Sequence, residues 1–136
     1  MLRTKGFTLT ELLIVIAIVA ILASIGYPAY NDQVQKTRRA TAQANVVELA
    51  SFMERWYTEN FTYQTSSTDT SPPTLPFTES PKDGGNKFYD LTLATPDATS
   101  YTLTAAPKGG QSTDKCGTMT YNHRGTTTAA VTNCWP

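Results

Sequence analysis

The chain has 136 residues, and its eleven Lys and Arg are balanced by eleven Asp and Glu. That length allows one modest domain plus an appendage, and a net charge of zero gives no whole-chain electrostatic reason to seek a nucleic acid or an anionic membrane. Two cysteines and one histidine are too few soft ligands for a four-ligand structural zinc site, and no Gly-rich loop ends in Gly-Lys-Ser/Thr, so neither a metal, a cofactor nor an enzymatic activity is expected.

The N-terminus carries the strongest signal. Arg3 and Lys5 precede Gly6-Phe7, then Thr8-Leu9-Thr10-Glu11, then a run from Leu12 to Ile25 whose only polar side chain is Ser24. At about 1.5 Å per residue, a helix from Phe7 to Ile25 just crosses a hydrocarbon core of roughly 30 Å. The basic residues before it favour a cytoplasmic N-terminus. Three readings compete. A secretory signal shares the basic start and apolar middle, but this run lacks a small-x-small cleavage site and opens with a carboxylate. A plain single-span anchor tolerates Glu11 but does not need it. A charge carried towards the bilayer centre costs at least about 2.5 kcal/mol, so an intramembrane carboxylate usually has a partner.

The third reading supplies that partner. Lys5-Gly6-Phe7-Thr8-Leu9-Thr10-Glu11, followed at once by the apolar run, resembles the processing site of type IV prepilins and pseudopilins. The resemblance implies a leader over residues 1–6, cut between Gly6 and Phe7 by a membrane prepilin peptidase that also N-methylates Phe7. It implies a transmembrane and filament-core helix over 7–29 and a globular head over 30–136. Glu11 would attract the new terminal amine of a neighbouring subunit during assembly. The implied partners are other pilin subunits, in a homo- or hetero-polymer, and an inner-membrane platform driven by a separate ATPase. The implied location is the inner membrane, single-pass with a cytoplasmic N-terminus, and then a surface pilus.

Pro28, close behind Gly26, either ends this helix or kinks it, since proline removes a backbone hydrogen bond and crowds the preceding turn. The pilin resemblance favours a continuing, bent helix. Tyr30 to Asn60 reads as amphipathic: Val46, Leu49, Met53 and Trp56 recur at three- and four-residue spacing with Phe52 beside them, and Lys36, Arg38, Arg39, Glu48 and Glu59 fall on other faces. Phe61 to Asn86 reads as a loop punctuated by prolines, with a turn at Asp83-Gly84-Gly85-Asn86. Short alternating runs follow at Phe88–Leu93, Tyr101–Ala105, Thr118–Tyr121 and Thr127–Thr132, separated by turn residues. The expected class is α+β, a long N-terminal helix packed on a small antiparallel sheet of about four strands.

Cys116 and Cys134 bracket the last hairpin. In a head that leaves the cytoplasm they suit a disulfide, and the pilin resemblance implies such a C-terminal loop. Cys116-Gly117-Thr118-Met119-Thr120 ending in Asn133-Cys134-Trp135 is similar to the minor-pilin subgroup that includes the DNA-uptake-sequence receptor. The resemblance therefore implies a structural subunit, a minor pilin, of a filament used in adhesion, twitching motility or DNA uptake. Two alternatives stay open. One is a DNA receptor using a small basic patch of Lys108, Lys115, His123 and Arg124, which Asp97 and Asp114 dilute. The other is a type II secretion pseudopilin, against which the cysteines count.

Overall fold

The computed structural model describes residues 6–66, 68–94 and 96–136. Arg3 and Lys5, which carry the expected orientation signal, lie outside them. One helix, α1, runs over Leu9–Asn60 and passes through Gly26 and Pro28 without ending. The chain divides into two compact units, Met1–Val34 and Gln35–Pro136.

In the first unit α1 begins where Thr8 caps it. The Thr8 hydroxyl accepts from the Glu11 amide at 3.2 Å, and the Thr8 carbonyl accepts the Leu12 amide at 3.2 Å. Glu11 thus occupies the third position of a Thr-x-x-Glu capping box, where its negative charge also suits the positive end of the helix. Beyond the cap the apolar side chains from Leu9 to Ile25 are all exposed, and this stretch is long and apolar enough to cross a membrane. Such a helix satisfies its own backbone, as a span in lipid must. Even Ser24 turns inward, donating to the Ile21 carbonyl at 2.7 Å.

In the second unit the remainder of α1 accompanies a five-stranded antiparallel meander in the order β1 (Glu79–Ser80), β2 (Tyr89–Leu93), β3 (Thr102–Pro107), β4 (Met119–Asn122), β5 (Thr127–Thr128). The strands alternate as a half-buried sheet should. Tyr89, Leu91, Leu103, Ala105 and Met119 are buried together with Ala42, Val46, Leu49 and Met53 of α1 in a single core. Each large side chain sequestered this way contributes about 1.5–3 kcal/mol. Phe52 is only half-buried and packs at the margin of that core, and the half-buried Trp56 reaches it through Phe52, with ring centroids 6.3 Å apart.

Two expectations need correction. The segment 61–86 is not wholly loop, because Glu79–Ser80 pairs with Asp90 and Tyr89 as a fifth strand. No apolar alternation marks it. It is held by the buried amide of Asn45, whose Oδ1 accepts from the Ser80 hydroxyl at 2.7 Å and from the Lys82 amide at 3.3 Å. Arg39, expected on a face other than the apolar stripe, instead continues that stripe and is buried.

Candidate functional site

Cleavage and assembly chemistry was expected at the start of α1. Gly6 to Thr8 are non-helical, Gly6 is exposed with open space around its Cα, and Phe7 is 83% exposed. The peptide bond between Gly6 and Phe7 therefore lies outside the helix, next to its cap. The Thr8 cap escaped the reading of the sequence, although the spacing Thr8-Leu9-Thr10-Glu11 carries the signal for it.

The second region is built on α1 of the head. Gln35, Arg39 and Gln43 stand four residues apart on one stripe of the helix, and each holds part of the C-terminal third of the chain. Arg39 pairs twice with Asp114, once through Nε at 2.9 Å to Oδ2 and once through Nη2 to Oδ1. The Tyr89 hydroxyl donates to Asp114 Oδ2 at 2.5 Å, Gln111 Nε2 lies 3.1 Å from the same oxygen, and the Cys116 amide donates to Oδ1 at 3.1 Å. Gln35 reaches Thr113 Oγ1 at 3.1 Å, and Gln43 donates to the Cys134 carbonyl at 2.6 Å. Burial pushes the Asp114 carboxyl up, but the Arg39 guanidinium and the Tyr89 hydroxyl, with the Cys116 amide and Gln111, outweigh it and hold the group at about 2. The same pairing with Asp114 raises Arg39 further, against its own burial.

Cys116 and Cys134 are joined in a disulfide across the β4–β5 hairpin. The polar stripe of α1 thus fastens both ends of that loop, with Arg39 acting through Asp114 on Cys116 and Gln43 acting on Cys134.

The four basic candidates are not brought into one patch. Lys108 follows β3 and its ammonium sits between two carboxylates, Glu79 of β1 and Asp90 of β2, the latter at 2.6 Å. These carboxylates raise the Lys108 pKa and cancel its charge locally. Lys115 is exposed on the same connection, one residue before Cys116. His123 and Arg124 occupy the β4–β5 turn, where Arg124 Nε donates to His123 Nε2 at 3.3 Å and His123 packs edge-on to Tyr101. Because Asn122 pairs with Thr102, that turn lies at the opposite end of β3 from Lys108, roughly 20 Å away along six residues of strand. Of the two acids expected to dilute the patch, Asp114 is spent on Arg39. Asp97 shapes its own turn by accepting from Thr99 and Ser100. The Ser100 hydroxyl and these amides hold Asp97 at about 2. Among the described residues no group of His, Cys, Asp or Glu is arranged to hold a metal ion.

Comparison with known proteins agrees with this geometry. Residues 1–27 match the prokaryotic N-terminal methylation motif. Over 34 residues the chain is 62% identical to fimbrial protein Q of Moraxella bovis, and over 38 residues it is 58% identical to fimbrial protein EcpC of Eikenella corrodens. These matches span 25% and 28% of this chain but only 22% and 25% of those proteins. A solved type IV pilin from Shewanella oneidensis superposes with a TM-score of 0.53 at 28% identity, covering 75% of this chain and 98% of that one. The non-core minor pilin PilV of Neisseria meningitidis shares the fold, with a TM-score of 0.53 at 22% identity over 75% of this chain and 92% of its own. A long N-terminal helix with a methylation motif, packed in its second half on an antiparallel meander closed by a disulfide, is a type IV pilin. More narrowly, the profile described as type IV minor pilin ComP, DNA uptake sequence receptor, matches residues 28–120, and the chain belongs to that family.

Proposed function

We propose that this minor pilin is inserted as a prepilin through the apolar part of α1 and cut between Gly6 and Phe7. Phe7 is then N-methylated, and the subunit is drawn into a surface filament by the charge of Glu11. The observation that supports this most is the contrast along α1. From Leu9 to Ile25 every apolar side chain is exposed, so this stretch needs a bilayer or neighbouring helices to cover it. A prepilin peptidase with methylase activity, an assembly platform and its ATPase are the partners this route requires. The N-terminus begins on the cytoplasmic side. Cleavage creates a cationic amine at Phe7, and in an apolar medium a carboxylate one turn along a neighbouring helix attracts it far more strongly than in water.

Glu11→Gln tests the assembly step cleanly, because glutamine also serves at the third position of a capping box. The helix start is preserved and only the charge is lost. The variant should be cleaved normally, accumulate in the inner membrane and be strongly depleted from sheared filaments. Native levels in filaments would assign Glu11 to helix capping alone.

A second reading rests on the family description, DNA uptake sequence receptor. If this chain takes DNA, Lys115 and Arg124 are the exposed cations of the four candidates, since Lys108 is already neutralised. Each phosphate contact contributes about 0.9 to the slope of log affinity against log salt. Lys115→Ala and Arg124→Ala should each flatten that slope by about one in duplex-binding titrations, and an unchanged slope removes the residue from the interface.

A further inference from the structure

The β1–β2 connection reads Lys82-Asp83-Gly84-Gly85-Asn86-Lys87, and its flanks are pinned while its tip is not. On one side the Lys82 amide donates to Asn45 Oδ1 at 3.3 Å, and its ammonium donates to both oxygens of Glu48, at 2.8 and 2.9 Å. On the other, Lys87 Nζ donates to the Pro81 carbonyl at 2.6 Å and to the Lys82 carbonyl at 3.1 Å. Between these anchors residues 83–86 are exposed. Among the described residues the Asp83 carboxylate accepts no hydrogen bond and the Gly84 amide donates none. Gly84 has φ 71°, and a Cβ placed on it would meet nothing within 4 Å.

In this arrangement a carboxyl group is open to attack by the amide that follows it. Glycine has no Cβ to shield its nitrogen or to restrict the backbone rotation that the attack requires. The other Asp residues are constrained. Asp69 Oδ1 accepts the Ser71 amide at 2.9 Å, and Asp97 Oδ1 accepts the Thr99 and Ser100 amides at 2.7 and 2.6 Å. Asp32 lies within α1, Asp90 lies in β2 and is bonded to Lys108, and Asp114 is buried. None of these five is followed by glycine.

We propose that Asp83-Gly84 is a site of spontaneous backbone isomerisation, at which Asp83 converts to isoaspartate in the folded protein. The carboxyl takes a proton from solvent, the Gly84 nitrogen bonds to Asp83 Cγ, and the carboxyl hydroxyl leaves as water with the Gly84 amide proton. The product is a cyclic imide. Water then adds at the Asp83 backbone carbonyl and breaks its bond to the Gly84 nitrogen, so the chain now runs through Cγ, and the new carboxyl returns its proton to solvent. One water leaves and one enters, so the mass is unchanged and no oxidant or reductant takes part. The backbone gains a methylene, and the carboxylate moves onto Cα. Because the flanks are pinned to Asn45, Glu48 and Pro81, the added length stays within residues 83–86, and β1 keeps its register with β2. Conversion accumulates with time, so it marks old subunits without unfolding them.

The test incubates the full-length chain in detergent micelles at neutral pH for successive weeks, beside a synthetic peptide of residues 80–88. The chymotryptic fragment Thr78–Phe88 should split into two chromatographic peaks of identical mass. An isoaspartyl methyltransferase with labelled S-adenosylmethionine should label only the new peak. Exposed loops open at close to no cost in free energy, so the rate in the folded chain should lie within about threefold of that in the peptide. Asp83→Glu keeps the charge but disfavours the ring, and should abolish the second peak. Deamidation of Asn86 in the same fragment raises the mass and is told apart by it. Near-UV circular dichroism of the aged chain should match that of the fresh one. A single unlabelled peak after the peptide has converted overturns the proposal, and so does a labelled peak that persists in Asp83→Glu. Loss of the near-UV signal in step with conversion would overturn the containment by the pinned flanks.

Discussion

Along α1 no side chain from Leu9 to Val34 is buried, whereas nine between Gln35 and Met53 are. The same helix therefore meets two different requirements. From Leu12 to Ile25 it is apolar on every face, so the environment of that stretch must come from outside the chain, as expected of a segment that passes from a bilayer into a fibre. Its second part carries an apolar stripe and a polar one, and both are answered by strands and loops of the same chain. Stability of the head is thus a property of the chain, while stability of the N-terminal unit is a property of its surroundings.

The sharpest way to break this contrast is to leave a charge unpaired in the head. Arg39→Ala strands the Asp114 carboxylate and should cost about 3–5 kcal/mol of head stability, read by denaturant unfolding of the micelle-bound chain with near-UV circular dichroism. Membrane extraction should be unchanged. Arg39→Met with Asp114→Leu should recover most of the loss, because apolar groups of similar size replace a buried pair at little cost. Failure to recover would mean that the pair also sets the path of residues 111–116.

Cys134→Ser comes next. Opening a loop closed across 18 residues should cost about 3 kcal/mol, again without effect on insertion. It should lower the denaturation midpoint of the head, and an unchanged midpoint would assign the hold on this loop to Gln43 and Asp114 instead.

Acid sharpens the comparison further. In the folded head Asp114 is held at about 2, below the value of about 3.9 for an unfolded chain. A carboxyl lowered by folding stabilises above the unfolded value and loses that contribution as the pH falls through the folded one. Head stability should therefore decline between about pH 4 and pH 2, and the variant Asp114→Asn should show a flatter decline on a lower baseline.

The smallest expected effect lies at the end of α1. Phe61 has φ 55° and is 81% exposed. It occupies the left-handed position after the helix that glycine fills without strain. Phe61→Gly should raise head stability by about 1 kcal/mol, and a loss would show that the exposed ring is held by a contact of its own.

Much of this molecule was legible because it is local. The apolar run, the Gly6-Phe7 junction and the Val46, Leu49, Met53 stripe are patterns within one or two turns of helix. Alternation marked the middle strands to within a residue or two. The polar part of the stripe was also within reach, since Gln35, Arg39, Ala42, Val46, Leu49 and Met53 continue one three- and four-residue spacing. Assigning Arg39 to another face missed that continuation.

What only the tertiary structure decided involves partners distant in the chain. Asp114 makes Arg39 a buried residue from 75 positions away, and Asn45 makes a strand of Glu79–Ser80 from 35 positions away. Sheet register sends Lys108 and Arg124 to opposite ends of β3, although only sixteen residues separate them in the chain. Periodicity reports how a segment distributes its own side chains. It carries no record of the carboxylate or amide that another segment will bring to them, and burial of polar groups depends on that meeting.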